Sequence, residues 1–219
     1  MFRPRHPPRK ANWVQVSAPM PVSCSIMVRM THRNVEVEAK WRADAREHER
    51  LRAILRQAGA SRLGTVREIN RLLDSTNHAL RETRQVLRLR WIDGDRSILT
   101  LKGPATYREG IKSREEAELD VRDGDTMLRI LSGIGFRVSV EYAKTRESWL
   151  LDGITVALDT LEFGHFVEIE GTHDQIQRAA KLLCLDLNDA ERRGYPSMMR
   201  EHRAANRQPE DLQDPSNRV

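Results

Sequence analysis

Charged side chains of one sign recur at every second position in several short stretches of the chain. Glu36 and Glu38 do so in VEVEAK, and Arg88 and Arg90 do so in LRLRW. Alternate residues of a β-strand project from the same face, so each stretch places like charges side by side. Clustered carboxylates bind Mg²⁺ or Mn²⁺ through oxygen, and clustered arginine and lysine bind phosphate oxygens. The two kinds of strand together could hold a metal ion and a polyphosphate.

The same sorting by sign continues along the chain. Further charges lie at Glu116, Glu118 and Asp120, at Asp159, at Glu168 and Glu170, at Lys102, and at Lys144 and Arg146. The default interpretation of a charged stripe is a solvated sheet face. Two like charges about 7 Å apart repel by roughly 0.6 kcal/mol in water but by about 2.4 kcal/mol at an effective dielectric constant near 20. In an enclosed site, therefore, a bound cation and a bound polyanion would have to offset the repulsion.

The hydrophobic pattern predicts the elements that carry these charges. Period-two alternation predicts eight strands near 34–41, 66–73, 86–92, 97–102, 114–121, 138–149, 154–159 and 165–170. Helical spacing and capping residues predict helices over 44–59, 125–133 and 172–185. Strands with helices at irregular intervals predict an α+β fold with a largely antiparallel sheet. Closing that sheet into a barrel would turn the charged faces inward and leave the apolar faces to the helices.

Charge and composition exclude several classes of protein. Residues 1–33 carry six basic and no acidic side chains, and the rest of the chain carries 31 basic and 32 acidic ones, so the body is not a basic nucleic-acid surface. No apolar run approaches the ~18 residues of a membrane helix. The two cysteines, Cys24 and Cys184, form no disulfide framework, which favours a cytoplasmic location. We expect a disordered basic leader over 1–33, one domain over 34–203 and a disordered tail over 204–219, and the composition leaves a homodimer open.

Eight motifs in order identify a family resemblance. They are EVEAK, INRLLD, LRLR, LTLKG, EEAE, AKTR, LDTLEFGHFVEIEG and GYPSMM. The set resembles the CYTH domain of the triphosphate tunnel metalloenzymes, whose ExExK signature matches Glu36, Glu38 and Lys40. Within that family it is most similar to class IV adenylate cyclases. The resemblance implies an eight-stranded antiparallel β-barrel, a tunnel with a charged interior and helices packed outside, which binds a triphosphate together with Mg²⁺ or Mn²⁺.

The resemblance also implies roles for individual residues. The acidic metal-binding positions of the family fall on Glu36, Glu38, Asp159, Glu168 and Glu170, with Glu116 and Glu118 on a further acidic strand. Its phosphate-binding positions fall on Lys40, Arg88, Arg90, Lys102, Lys144 and Arg146. Two departures weaken the case for adenine recognition: Leu72 and Leu73 replace an aromatic pair, and Ser197 replaces a glutamate that is common in cyclase-like members.

Three functions follow from these expectations. In a class IV adenylate cyclase, the first choice, the ribose 3′-hydroxyl of ATP attacks the α-phosphorus, and a metal held by Glu38 and Glu170 polarises that hydroxyl. In a triphosphatase, water attacks the terminal phosphate of inorganic triphosphate, thiamine triphosphate or a nucleoside triphosphate. Lys40 could orient or deprotonate that water, or simply contact phosphate. A non-catalytic polyphosphate sensor is the third alternative, which the complete acidic set disfavours.

Overall fold

The computed structural model describes residues 34–206, which form nine strands and five α-helices. The strands are β1 (Asn34–Ala43), β2 (Ser61–Ser75), β3 (Val86–Ile92), β4 (Arg96–Lys102), β5 (Thr106–Arg108), β6 (Ile111–Val121), β7 (Phe136–Leu151), β8 (Ile154–Leu161) and β9 (Gly164–Glu170). The helices are α1 (Ala45–Gln57), α2 (Ala79–Glu82), α3 (Gly124–Gly133), α4 (His173–Leu182) and α5 (Tyr195–Ala205). A 3₁₀ turn spans Leu187–Asp189.

Eight of the strands close into an antiparallel barrel. Their order is β1-β9-β8-β7-β2-β3-β4-β6, and β6 pairs with β1 to complete the ring. The short strand β5 pairs only with β6, as one arm of a hairpin. The predicted α+β fold with an eight-stranded antiparallel barrel is thus confirmed.

Apolar side chains on the outer face of the barrel pack against α1 and α4. Trp41, Trp149, Val156 and Ile169 are buried there. They pack with Leu51 of α1 and with other apolar residues of both helices. The caps predicted from sequence are present, because Asp44 accepts a hydrogen bond from the amide of Glu47 and Thr172 forms a capping box with Gln175. Helix α3 covers a second apolar area formed by β3 and β4.

Helix α5 packs differently from the other helices. Its residues Tyr195, Met198 and Met199 are buried against Leu72 and Phe166, which project from the same strand faces as the charged residues. The first turn of α5 therefore reaches the inside of the barrel. The sequence analysis predicted no helix here, because the apolar partners of α5 lie on strand faces that it assigned to charge.

Several boundaries differ from the predicted ones. Strand β2 begins at Ser61, β6 begins at Ile111, and β5 and α2 were not predicted. The predicted leader over 1–33 lies outside the described residues, as does most of the predicted tail, although α5 runs to Ala205. Within residues 34–206, no helix is both long and apolar enough to cross a bilayer, and Cys184 is exposed and unpaired with another cysteine.

Candidate functional site

The barrel encloses a cavity of about 600 Å³ that is lined by charged side chains. Ten of the eleven site residues predicted from sequence line it: Glu36, Glu38, Lys40, Arg88, Arg90, Lys102, Lys144, Arg146, Glu168 and Glu170. Glu116 and Glu118 line it as well. The eleventh residue, Asp159, lies just behind the wall and is fully buried. The sign-sorted strands therefore converge on one interior, as the sequence analysis requires of an enclosed site.

Strand β1 brings its two carboxylates against lysines from other strands. The Lys102 ammonium lies 2.7 Å from both carboxylate oxygens of Glu36, and Lys112 contacts Glu38. Burial alone would raise the pKa of Glu36, but the charge and hydrogen bond of Lys102, together with the charges of Lys112 and Arg88, lower that pKa to about 2. Lys102 also lies 3.0 Å from Glu116. Burial and the negative charge of Glu36 nevertheless raise the pKa of Glu116 to about 7.

The two arginines of β3 face acids of β2 and β6. The guanidinium groups of Arg88 and Arg90 each lie 3.5 Å from one Glu118 oxygen, and Arg90 lies 3.4 Å from Glu68. The Nε atoms of both arginines are buried and have no hydrogen-bond partner. Buried donors without partners carry a free-energy cost that a ligand oxygen could remove. Both arginines line the cavity, where their guanidinium groups could bind phosphate.

Asp159 is the centre of a buried polar network. Its carboxylate accepts two hydrogen bonds from Arg146, at 2.7 and 2.5 Å, one from Lys144 at 3.1 Å, and one from the Tyr195 hydroxyl at 2.8 Å. Arg146 also contacts Glu168. The positive neighbours, Arg146 first, hold the pKa of Glu168 well below its ordinary value in spite of its burial. In this arrangement Asp159 anchors the basic wall, and its role as a metal ligand stays a prediction.

Lys40 lies between an acid and an aromatic ring. Its ammonium is 3.5 Å from a Glu168 oxygen and 4.2 Å from the centre of the Tyr195 ring. Lys144 lies 5.3 Å from the same ring. A tyrosine ring attracts cations to its face, so Tyr195 holds both ammonium groups beside their carboxylate partners.

A divalent cation would fit best beside Glu36, Glu38 and Glu170. Glu38 and Glu170 are directly paired across β1 and β9, so their side chains start from adjacent positions on one face. Burial raises the pKa of Glu170, and the negative charges of Glu36 and Glu38 raise it further. Three carboxylates are a suitable oxygen donor set for Mg²⁺ or Mn²⁺. Among the described residues, no three acidic, histidine or cysteine side chains lie close enough together to coordinate one ion. Glu36 and Glu38 contact lysines instead.

The sequence analysis missed several interior residues. Lys112 and Arg114 line the cavity on β6, but the strand was predicted only from residue 114, and neither residue was assigned to the site. Glu68 lies 3.6 Å from Lys144 and is also surrounded by Arg146 and Arg90, which outweigh burial and lower its pKa to about 2. Glu68 is the only acid of the predicted strand 66–73, so it gives no pattern sorted by sign. The alternation of Glu68 with Asn70, both buried in β2, was the one available signal.

Comparison with known proteins gives the family and the fold. The CYTH domain model matches residues 34–198. A protein of Methanocaldococcus jannaschii that is provisionally named an adenylate cyclase is 34% identical over 104 residues, which are 47% of this chain and 58% of that protein. The chain thus matches less than two thirds of that relative's length. A Pyrococcus horikoshii structure has 27% identity, a TM-score of 0.63, and coverage of 77% of this chain and 99% of its own.

A second solved structure, from Vibrio parahaemolyticus and also provisionally described as an adenylate cyclase, shares the fold. It is 22% identical, has a TM-score of 0.67, and is matched over 77% of this chain and 99% of its own. The family model covers nearly the whole barrel and includes the ExExK signature at Glu36, Glu38 and Lys40. The chain belongs to the CYTH domain family.

Proposed function

We propose that the chain is a metal-dependent triphosphatase whose substrate lies inside the barrel. The observation that supports this most strongly is the concentration of basic side chains on the cavity wall. Eight basic side chains from the strands line the cavity: Lys40, Arg88, Arg90, Lys102, Lys112, Arg114, Lys144 and Arg146. Six glutamates oppose them: Glu36, Glu38, Glu116, Glu118, Glu168 and Glu170. Buried Glu68 and Asp159 pair with Lys144 and other bases behind the wall, so the barrel interior holds as many acids as bases. Divalent cations would therefore balance the negative charge of a bound triphosphate.

The residues divide into two groups with different tasks. Arg88, Arg90, Lys144 and Arg146 would bind and orient the phosphate chain, because arginine binds phosphate oxygens through two donors and lysine acts as a point charge. Glu38 and Glu170, with Glu36, would hold Mg²⁺ or Mn²⁺, which when bound neutralises phosphate charge and lowers the pKa of coordinated water. Such chemistry depends on positioning and charge neutralisation, and needs no covalent nucleophile.

Lys40 is the residue we assign to the attacking water. Its ammonium is held between Glu168 and the Tyr195 ring and faces the cavity. It could donate a hydrogen bond to the terminal phosphate or keep the water in line for attack. Glu168 remains ionised beside it because basic neighbours lower its pKa.

Adenylate cyclase is the second candidate, favoured by the name of the Methanocaldococcus relative. The sequence analysis placed it first. The cavity lining now favours hydrolysis, because Leu72, Leu73 and Ser197 all line it where cyclase-like members have aromatic or acidic residues. Of the tyrosines that line the cavity, Tyr142 and Tyr195 are themselves buried by other side chains. Aliphatic side chains offer a base less stacking energy than an aromatic pair.

Product identification tests this proposal. Purified protein is incubated with Mg²⁺ or Mn²⁺ and, in parallel, ATP, inorganic triphosphate or thiamine triphosphate. Release of orthophosphate supports the triphosphatase, whereas cyclic AMP with pyrophosphate supports the cyclase. Tight binding of triphosphate without turnover would overturn both reactions and leave a sensor.

A further inference from the structure

A cluster of arginines borders the cavity outside the set that contacts the barrel glutamates. Arg81 and Arg84 belong to the connection between β2 and β3 that contains α2, and Arg200 belongs to α5. All three line the same cavity as the interior charges, together with His78. They are exposed, so they form its mouth on that side. We call Arg81, Arg84 and Arg200 the mouth arginines.

The mouth arginines have no acidic partner. Within residues 34–206 no ion pair, side-chain hydrogen bond or ring contact involves any of the three, whereas the exposed Arg193 and Arg203 are both bonded to protein oxygens. The charge of Arg81 contributes to lowering the pKa of Arg200, after burial, so the two guanidinium groups are close enough to repel. Cations that repel one another at the border of a cavity are a suitable site for an anion.

The carboxylate at the end of β2 is already engaged with the backbone. Asp74 is buried, and its side chain accepts hydrogen bonds from the amides of Leu80 and Arg81 at 3.0 and 3.1 Å. These bonds fix α2 against the end of β2, which places Arg81 at the cavity. Asp74 thus stabilises the position of the mouth arginines and offers no ion pair to any of them.

The backbone of this connection is held in an unfavourable conformation. His78, before α2, has φ of 57°, and Arg84, after it, has φ of 58°. Non-glycine residues rarely adopt this left-handed region, and such strain concentrates at binding sites. Both strained residues line the cavity. The strain therefore lies in the segment that directs basic side chains towards the ligand.

Charge balance indicates what the mouth arginines would bind. The barrel interior carries as many acids as bases when Glu68 and Asp159 are counted, so divalent cations would balance a triphosphate there. The mouth adds three positive charges, against which stand Asp74 and Glu82, the residue after Arg81, so at least one positive charge remains without a counterpart. A substrate with a fourth phosphate would supply the missing negative charge, because each further phosphate of a linear chain adds about one negative charge.

We propose that Arg81, Arg84 and Arg200 form a second phosphate subsite, which binds the phosphates of a linear chain of four or more that extends from the tunnel. This inference rests on the proposed function for the position of the first three phosphates. It adds a preference for longer chains over triphosphate. The extra phosphate could belong to an inorganic polyphosphate or to a nucleoside tetraphosphate, since the arginines would contact only phosphate oxygens.

The test compares chain lengths in the wild type and in R81A/R200A. Binding of inorganic triphosphate and tetraphosphate is measured by calorimetry with Ca²⁺ in place of Mg²⁺, and hydrolysis is measured with Mg²⁺. The expected result is that wild type binds tetraphosphate at least about tenfold more tightly than triphosphate. R81A/R200A should lose that preference and bind triphosphate within about twofold of wild type. The control R122A/R178A removes two exposed arginines that do not line the cavity and should keep the preference.

Adenosine 5′-tetraphosphate and ATP form a second pair of ligands. If wild type prefers the longer chain only within this pair, and R81A/R200A loses that preference, the subsite binds nucleotides. If the same result is found only within the inorganic pair, the subsite binds polyphosphate. Equal affinity for both chain lengths in wild type, or equal loss of both in R81A/R200A, would overturn the inference. If nothing is hydrolysed but tetraphosphate still binds more tightly in a mouth-dependent way, the subsite stands and the proposed triphosphatase reaction fails.

Discussion

Replacing Asp159 by asparagine tests whether this buried carboxylate is an anchor for the basic wall. The side chain has no exposed surface and accepts four hydrogen bonds, from Arg146, Lys144 and Tyr195. Asparagine keeps the shape but removes the charge and presents an NH₂ group to donors. Breaking a buried ion pair from one side costs about 3–5 kcal/mol. Arg146 would still contact Glu168, and Lys144 would still lie 3.6 Å from Glu68. We therefore expect D159N to lower the free energy of unfolding by about 3 kcal/mol, the lower end of that range.

The assay is urea unfolding of metal-free and phosphate-free protein, with the free energy obtained by linear extrapolation. Y195F removes only one donor to the carboxylate and should cost about 1 kcal/mol. E141Q removes the charge of Glu141 on β7 and breaks its exposed ion pair with Arg71 of β2, which should cost less than about 1 kcal/mol. If D159N were as stable as wild type but inactive, the carboxylate would be a metal ligand and the anchor assignment would be wrong.

Three further predictions concern the site and its support. E170Q should lower turnover by at least about 100-fold with an unchanged unfolding midpoint, while E141Q stays active; full activity of E170Q would contradict the metal site. The pKa of Glu116 is raised from 4.5 to about 7, so the folded state binds a proton that the unfolded state loses, and stability should fall as pH rises from about 4.5 to 7. E116Q should remove that slope and be more stable than wild type at pH 8 by up to about 3 kcal/mol, measured by urea unfolding; an unchanged slope would refute the assignment. G110A should destabilise by about 2 kcal/mol or more, because Gly110 has φ of 79° and an added Cβ would lie 2.2 Å from the Leu187 carbonyl oxygen; an unchanged midpoint in a thermal melt would exclude this contact.

The charged interior could be predicted because local sequence reports which residues share a strand face. Glu36 and Glu38 alternate with apolar residues that α1 and α4 cover, and the same holds for Glu168 and Glu170. The pattern does not report which strands become neighbours. The contact of Lys102 with Glu36 joins residues far apart in the chain, and it depends on closure of the ring by β6 and β1.

The missed residues share a physical cause. Tyr195 reaches Asp159 because α5 packs on inward-facing apolar residues, an arrangement that no periodicity in its own segment specifies. Lys112 was missed because β6 extends beyond the region of clear alternation, where pairing with β1 and β5 supplies the order. Arg81 and Arg200 approach one cavity only through the fold, since they lie on separate elements.

Locating the metal and the phosphates inside the protein tests the central claim most directly. Crystals grown with Mn²⁺ and a slowly hydrolysed triphosphate analogue allow manganese to be placed by anomalous scattering. The account predicts manganese within about 2.0–2.3 Å of carboxylate oxygens from Glu36, Glu38 or Glu170, with phosphates against Arg88 and Arg90 in the cavity. Manganese and triphosphate bound only on the outer surface of the barrel would contradict it.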